Sequence, residues 1–183
     1  MKIKSHSKFK EVLIFEPNVY EDKRGLFFES FNLEISSILD VNFVQDNHSV
    51  SKKNIIRGIH YQWDPPMGKL CRVGCGGGRD FFIDLRKGSS TYGEYDFIDL
   101  NEENKKIIWI PSGFGHAFLS LRDNTHLLYK CSAYHSDKES AIFPFDKFLS
   151  IKWGIDKQEI TLSDKDSNSK SFEEYDKNPK FHI

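Results

Sequence analysis

Short apolar and aromatic runs, each closed by a turn signal, recur along most of this chain and confine it to an all-β fold. Val12-Leu13-Ile14-Phe15 stops at Pro17, and Leu26-Phe27-Phe28-Glu29 opens after Arg24-Gly25. Phe43-Val44 leads into Gln45-Asp46-Asn47, and residues 55–61 close at Asp64-Pro65-Pro66. Residues 81–85, 95–100, 106–110 and 127–131 repeat the pattern. Strands of this length at about 8–12-residue spacing build a sandwich or barrel. Aromatic residues make up 14% of the chain, with 16 Phe, which suits a β-rich interior better than a helical bundle. Ile107-Ile108-Trp109-Ile110 is apolar on both faces, so that strand should lie buried between layers. Only residues 33–39 read as a helix, with Ile35, Ile38 and Leu39 on one face and Asn32 as the cap.

The 183 residues suffice for one domain, 1–183, with a substantial core. Residues 156–177 are polar and should wrap the surface, with the tail after about 170 peripheral and the last residues disordered. A net charge of -1 and a pI near 6.7 supply no field that would draw the protein to nucleic acid or a membrane. No apolar run approaches the ~20 residues of a membrane span, and the N-terminus lacks a signal-peptide core. Three cysteines form no paired framework and fit a reducing cytoplasm. Cys71-x3-Cys75 has no second ligand pair at zinc spacing, so these read as core thiols.

The chemistry concentrates around residues 56–62, where Arg57 and His60 are followed by Lys69. A guanidinium, an imidazole and an ammonium together suit removal of a carbon-bound proton and stabilisation of the anion left behind. Alternation puts His60 and Gln62 on one face and Tyr61 on the other. If that face lines a barrel interior, His60 is a natural base near neutral pH; otherwise it is a hydrogen-bonded core or surface histidine. His116 follows Gly113-Phe114-Gly115, a tight turn able to bring backbone close to a ligand, or simply a turn. Tyr129 sits mid-strand and can donate a proton or fill the core. Gly74 and Gly76-Gly77-Gly78 lack the ending of a phosphate loop and read as a flexible hairpin turn. None of the seven histidines forms the His-x-His pattern of a metal cupin, and no serine sits in a Gly-x-Ser-x-Gly elbow.

Taken in order, several segments resemble the dTDP-4-dehydrorhamnose 3,5-epimerase family, commonly called RmlC. They are Arg24-Gly25-Leu26-Phe27-Phe28-Glu29, Gln45-Asp46-Asn47-His48-Ser49, Arg57-Gly58-Ile59-His60-Tyr61-Gln62 and Asp84-Leu85-Arg86 with Thr91-Tyr92-Gly93. Pro111 through Phe118, Tyr129-Lys130-Cys131 and Leu162-Ser163-Asp164-Lys165-Asp166 complete the set, covering about residues 10–170. The resemblance implies a cupin-type jelly-roll barrel with a few short helices, working without metal or other cofactor, usually as a homodimer. It implies an isomerase of cytoplasmic deoxysugar biosynthesis whose substrate is a nucleotide-sugar. Carried over by position, His60 resembles the catalytic base and Asp166 its orienting carboxylate, with Asp80 or Asp84 as competitors on sequence alone. Tyr129 is similar to the acid on the opposite face of the sugar, and Lys69 and Arg57 match groups around the developing enolate. Arg24, Phe27, Glu29, Gln45, Asn47, His116, Tyr134, Glu139 and Lys165 resemble the nucleotide-sugar contacts. The chain departs from the family at the glycine-rich segment before Arg79, at Gly115 and Ala117 around His116, and at Lys147 and Gly154, where proline is common.

The expected reaction is inversion of C3 and C5 in dTDP-4-keto-6-deoxy-D-glucose. The sequence leaves open another nucleotide (CDP, UDP or GDP), a heptose, or inversion at one carbon only. A catalytically dead sugar-binding cupin would be expected to lack His60, Tyr129 or Lys69.

Overall fold

Two antiparallel sheets face one another in the computed structural model, which describes residues 1–183. The six-stranded sheet runs β1 (Lys2–Ser5), β2 (Leu13–Glu16), β11 (Ile107–Ile110), β7 (Lys69–Cys75), β13 (Thr125–Cys131) and β5 (Gln45–Ser51). The five-stranded sheet runs β10 (Tyr95–Asn101), β8 (Gly77–Asp84), β12 (Phe114–Ser120), β6 (Ile56–Gln62) and β14 (Glu139–Ala141). Apart from the consecutive β1–β2 pair, neighbours in each sheet are not consecutive in the sequence, as a jelly roll requires. A separate hairpin joins β3 (Val19–Asp22) to β4 (Gly25–Phe28), and β9 (Arg86–Lys87) pairs in parallel with β15 (Phe181–His182). The helices are short: α1 (Leu33–Leu39), α2 (Asp164–Ser167) and α3 (Phe172–Asp176).

Three apolar clusters hold these layers together. Phe82, Ile108, Ile110, Phe118 and Leu127 pack between the sheets. Outside the six-stranded sheet, Ile107 and Trp109 pack with Phe15, Leu70 and Ile35 of α1. The β11 strand is therefore apolar on both faces because it is covered on both. The Asn32 side chain caps α1 by accepting from the Ile35 N–H at 3.2 Å. Ile35 is the buried residue of that helix; Ile38, expected beside it, is 46% exposed, because the sheet covers a narrower stripe than the sequence suggests.

The third cluster lies outside the five-stranded sheet and corrects the reading of the C-terminal segment. Phe172 and Tyr175 of α3 are buried there with Ile59, Tyr61 and Phe81. The Tyr175 hydroxyl donates to the Leu85 carbonyl at 2.6 Å. The tail after residue 170 is thus not merely peripheral. Its two large aromatic side chains cover a sheet face that would otherwise be wet, and β15 gives the last residues a strand partner. The glycine run also differs from expectation. Gly77 and Gly78 are buried within β8, and only Gly76 (φ 77°) occupies the turn. A Cβ on Gly78 would stand 2.3 Å from the Leu119 carbonyl oxygen, so this glycine permits close strand packing. No helix is long and apolar enough to cross a membrane.

Candidate active site

Beyond Phe118 and Leu127 the space between the sheets opens into a cavity of about 360 Å³. Arg57 and His60 of β6, Lys69 of β7, His116 of β12, Tyr129 of β13 and Asp166 of α2 all line it. His60 and Tyr129 therefore reach the same space from opposite sheets.

Strict alternation would turn Arg57 away from the face that His60 occupies. A bulge reverses this: His116 pairs with His60 and Phe118 with Arg57, so three steps of β6 oppose two of β12. The extra residue falls at Gly58-Ile59, where Gly58 takes φ 129°, a region that favours glycine. A Cβ there would lie 2.5 Å from the His116 carbonyl oxygen and 2.6 Å from the Ala117 Cα. Gly58→Ala should therefore destabilise the fold by about 2–4 kcal/mol through backbone conformation and overpacking together. A lower urea midpoint at unchanged slope would register it; a wild-type midpoint would contradict the bulge geometry.

His60 Nε2 hydrogen-bonds Asp166 Oδ1 at 2.6 Å. Asp166 sits in the first turn of α2, whose cap Ser163 accepts from the Asp166 N–H through its hydroxyl oxygen. Burial alone would raise the Asp166 carboxyl. Hydrogen bonding and charge from His60, with help from Ser163 and the Gly58 N–H, overcome that and hold it below the ordinary aspartate range. An ionised Asp166 fixes the tautomer that donates from Nε2, which leaves His60 Nδ1 as the unprotonated ring atom.

Burial pushes the Tyr129 phenol above the usual tyrosine value, and the Cys131 and Cys71 thiols add to this. The Asn47 hydrogen bond and the Arg57 charge oppose it. Tyr129 accordingly holds its proton at neutral pH. Lys69 Nζ lies 5.9 Å from the centroid of the Tyr129 ring.

A second imidazole–carboxylate pair lies deeper. His116 Nε2 hydrogen-bonds Asp80 Oδ1, with both side chains buried. Burial lowers the His116 pKa, Asp80 opposes this, and the neighbouring Lys69 and His60 add to the lowering. With Cys71, this pair places three potential metal-ligand atoms within 4.8 Å of one another. The His116 and Asp80 atoms are hydrogen-bonded directly to each other, and both side chains are buried, so neither is free to swing apart to the separation of two ligands on one ion. The sequence alternatives for the partner of His60 are engaged elsewhere: Asp80 with His116, and Asp84 with Arg86, Ser89 and Thr91.

Gln45, Asn47 and Glu139 line an adjoining space of about 90 Å³ that also touches His60, Lys69 and Tyr129. Lys165, at the wall of the main cavity, donates to Glu139 at 2.6 Å. Tyr134 is 67% exposed and meets the site through its backbone carbonyl, which accepts from Gln62 Nε2 at 2.9 Å. Arg24, Phe27 and Glu29 do not line either space. Arg24 pairs with Asp22 at 2.6 Å, Phe27 is 67% exposed, and Glu29 accepts from Asn32. Lining residues that the sequence reading did not single out include Ser49, Thr161 and Leu162. Ser49 and Leu162 fall within segments that carry the resemblance but had no role assigned there; Thr161 carries no local signal.

The family profile described as dTDP-4-dehydrorhamnose 3,5-epimerase matches residues 6–174. The dTDP-4-dehydrorhamnose 3,5-epimerase of Shigella flexneri is 43% identical over 171 residues, covering 91% of this chain and 93% of that protein. Among solved structures, dTDP-6-deoxy-D-glucose-3,5-epimerase from Legionella pneumophila Philadelphia 1, in complex with dTDP-4-keto-L-rhamnose, superposes with a TM-score of 0.88. It is 38% identical and covers 94% of each chain. A 3'-monoepimerase from Streptomyces bikiniensis in complex with dTDP-quinovose superposes with a TM-score of 0.91 at 29% identity, covering 98% of this chain and 93% of that one. The cupin-type jelly roll, the extent of the sequence match and the shared ancestry it records establish that this chain belongs to the dTDP-4-dehydrorhamnose 3,5-epimerase family.

Proposed function

We propose that this chain inverts C3 and C5 of dTDP-4-keto-6-deoxy-D-glucose through an enolate, as an isomerase of deoxysugar biosynthesis. The observation that carries the reading is the His60–Asp166 pair on one sheet facing Tyr129 and Lys69 on the other across a single cavity. In a 4-keto hexose the protons on C3 and C5 both lie α to the carbonyl. His60 Nδ1 removes one of them, and charge develops on the C4 oxygen. The Lys69 ammonium, with Arg57 nearby, stabilises that oxygen, an effect of the kind that usually dominates such catalysis. Tyr129 returns a proton from the opposite face, which inverts the centre. His60 has then gained one proton and Tyr129 lost one, and exchange with solvent resets both.

Incubation with the dTDP-4-keto sugar in D2O tests this directly. Deuterium should enter at C3 and C5. The similarity to the 3'-monoepimerase motivates the second reading, in which one carbon alone is inverted. Label at C3 only would replace the first reading with that one, and no label at either carbon would overturn both.

The working form is a cytoplasmic homodimer, the unpaired thiols suiting a reducing compartment. Val19, Tyr20, Leu26 and Phe27 of the β3–β4 hairpin are all exposed, and each strand pairs only with the other. An isolated two-stranded hairpin is marginal in water, and a second copy would cover it. Contact through the N-terminal edge strand and this hairpin would carry Arg24, Phe27 and Glu29 toward the partner's cavity. Light scattering should report a dimer at micromolar concentration, and Arg24→Ala should raise KM about tenfold with little change in kcat. A monomer, or an unchanged KM, would refute this arrangement.

A further inference from the structure

The outer face of the six-stranded sheet carries a histidine pair that the epimerase chemistry leaves unused. Ser49, Leu127 and Tyr129 line the cavity, so their neighbours His48 on β5 and His126 on β13 turn outward. His48 Nε2 lies 2.9 Å from His126 Nδ1, with ring centroids 5.0 Å apart and planes tilted by 50°. The strand register fixes both positions: His126 stands opposite Val50, and His48 opposite Leu128.

A third donor lies on the next strand, outside ligand distance of the pair as the side chains stand. Cys71 and Val73 of β7 point into the core between the sheets, and alternation would send Cys75 after them. The β7–β13 register instead shifts at Gly74, so that Leu127 faces Val73 while His126 faces Cys75. Residues directly opposed across a ladder share a face. Cys75 therefore parts from Cys71 and joins His126, which gives the Cys71-x3-Cys75 spacing a different meaning from the one its sequence suggests.

Two imidazole nitrogens bound to one tetrahedral zinc at about 2.0–2.1 Å lie about 3.3 Å apart. The 2.9 Å separation here is a few tenths of an ångström short of that, a gap that small rotations of two solvent-facing rings can open. The pair now shares one proton, which a cation would displace. We infer that His48 and His126 form a surface site for a divalent transition-metal ion, zinc foremost, with Cys75 rotating in as a thiolate and water completing the shell. On binding, the proton between the rings moves to the other nitrogen of its own imidazole, so that both rings ligate as neutral donors, and the thiol proton is released to solvent. Imidazole and thiolate together select zinc or cobalt over magnesium or calcium.

Calorimetric titration of the metal-free full chain with zinc chloride tests the site. One zinc per chain is expected, with affinity weakened at least tenfold in His126→Ala and in His48→Gln. The cobalt form should show a thiolate-to-metal charge-transfer band that Cys75→Ser abolishes. All three variants should keep wild-type circular dichroism and wild-type proton exchange on the keto sugar, because none of these side chains lines the cavity. Wild-type zinc affinity in both histidine variants would overturn the proposal. So would loss of binding in His116→Ala with the surface variants unaffected, which would assign the metal to the buried Cys71, Asp80 and His116 cluster. A charge-transfer band that survives Cys75→Ser would remove the third ligand.

Discussion

His60→Ala should slow deuterium incorporation into the keto sugar by about three orders of magnitude while the protein remains folded, the middle of the range for loss of a positioned base. The size follows from what else is within reach. Asp166 is buried and held as an anion largely by His60 itself, with its Oδ1 turned to His60 Nε2. His116 is buried, bonded to Asp80 and carries a lowered pKa, so it is a weak substitute. Stability should fall by only about 1–3 kcal/mol, since the loss leaves one buried carboxylate oxygen unpaired. The acid side offers a second readout. Because the Asp166 pKa is depressed on folding, the dyad stabilises the native state above the unfolded aspartate value of about 3.8. That contribution is lost as pH falls through the lower, folded value. In His60→Ala the depression shrinks, and the variant should show a smaller stability loss over that acid window. Exchange within tenfold of wild type would remove His60 from the role of base, and rescue by added imidazole would strengthen it.

The sequence conveyed the β architecture because its signal is local: run length, turn residues and alternation. The placement of His60 opposite Tyr61 follows from alternation alone. Arg57 shows where that reasoning ends. Its presence beside His60 depends on one extra residue at Gly58, and the sequence hint, a glycine inside a strand, does not say which way the strand turns. Asp166 lies 106 residues from His60, and only the family resemblance linked them; spacing could not separate it from Asp80 and Asp84. The Asp80–His116 pair had no local signature because it forms across neighbouring strands, β8 and β12. Phe172 and Tyr175 were hidden by a polar neighbourhood: two apolar residues in a charged segment read as surface until the uncovered outer face of the five-stranded sheet is known. Arg24 and Phe27 are the reverse case, residues named by resemblance that one chain alone leaves away from the cavity.

Tyr129→Phe should separate two events that the wild-type protein couples. His60 and Tyr129 approach the cavity from opposite sheets, so removal of a proton on one face and return on the other is what inverts a carbon. Without the phenol oxygen, His60 still abstracts and Lys69 still stabilises the C4 oxygen. The proton then returns from His60, on the face it left, after exchange with solvent. Deuterium should therefore enter C3 or C5 within about tenfold of the wild-type rate, while inversion falls by about 10²–10³. The pH profile carries the same logic. Burial lifts the Tyr129 phenol above the usual value of 10.0, so wild-type inversion should persist beyond that pH before the donor ionises. The phenylalanine variant has no such group, so the part of the alkaline fall that the phenol causes should disappear from its residual inversion, while the part caused by loss of the Lys69 ammonium should remain. Unchanged inversion in this variant would mean that water or another side chain delivers the second proton. Loss of exchange and inversion in equal measure would mean that the phenol stabilises the enolate rather than protonating it. Separate measurement of label and configuration distinguishes these outcomes, because the first reports the base and the enolate and the second reports the acid.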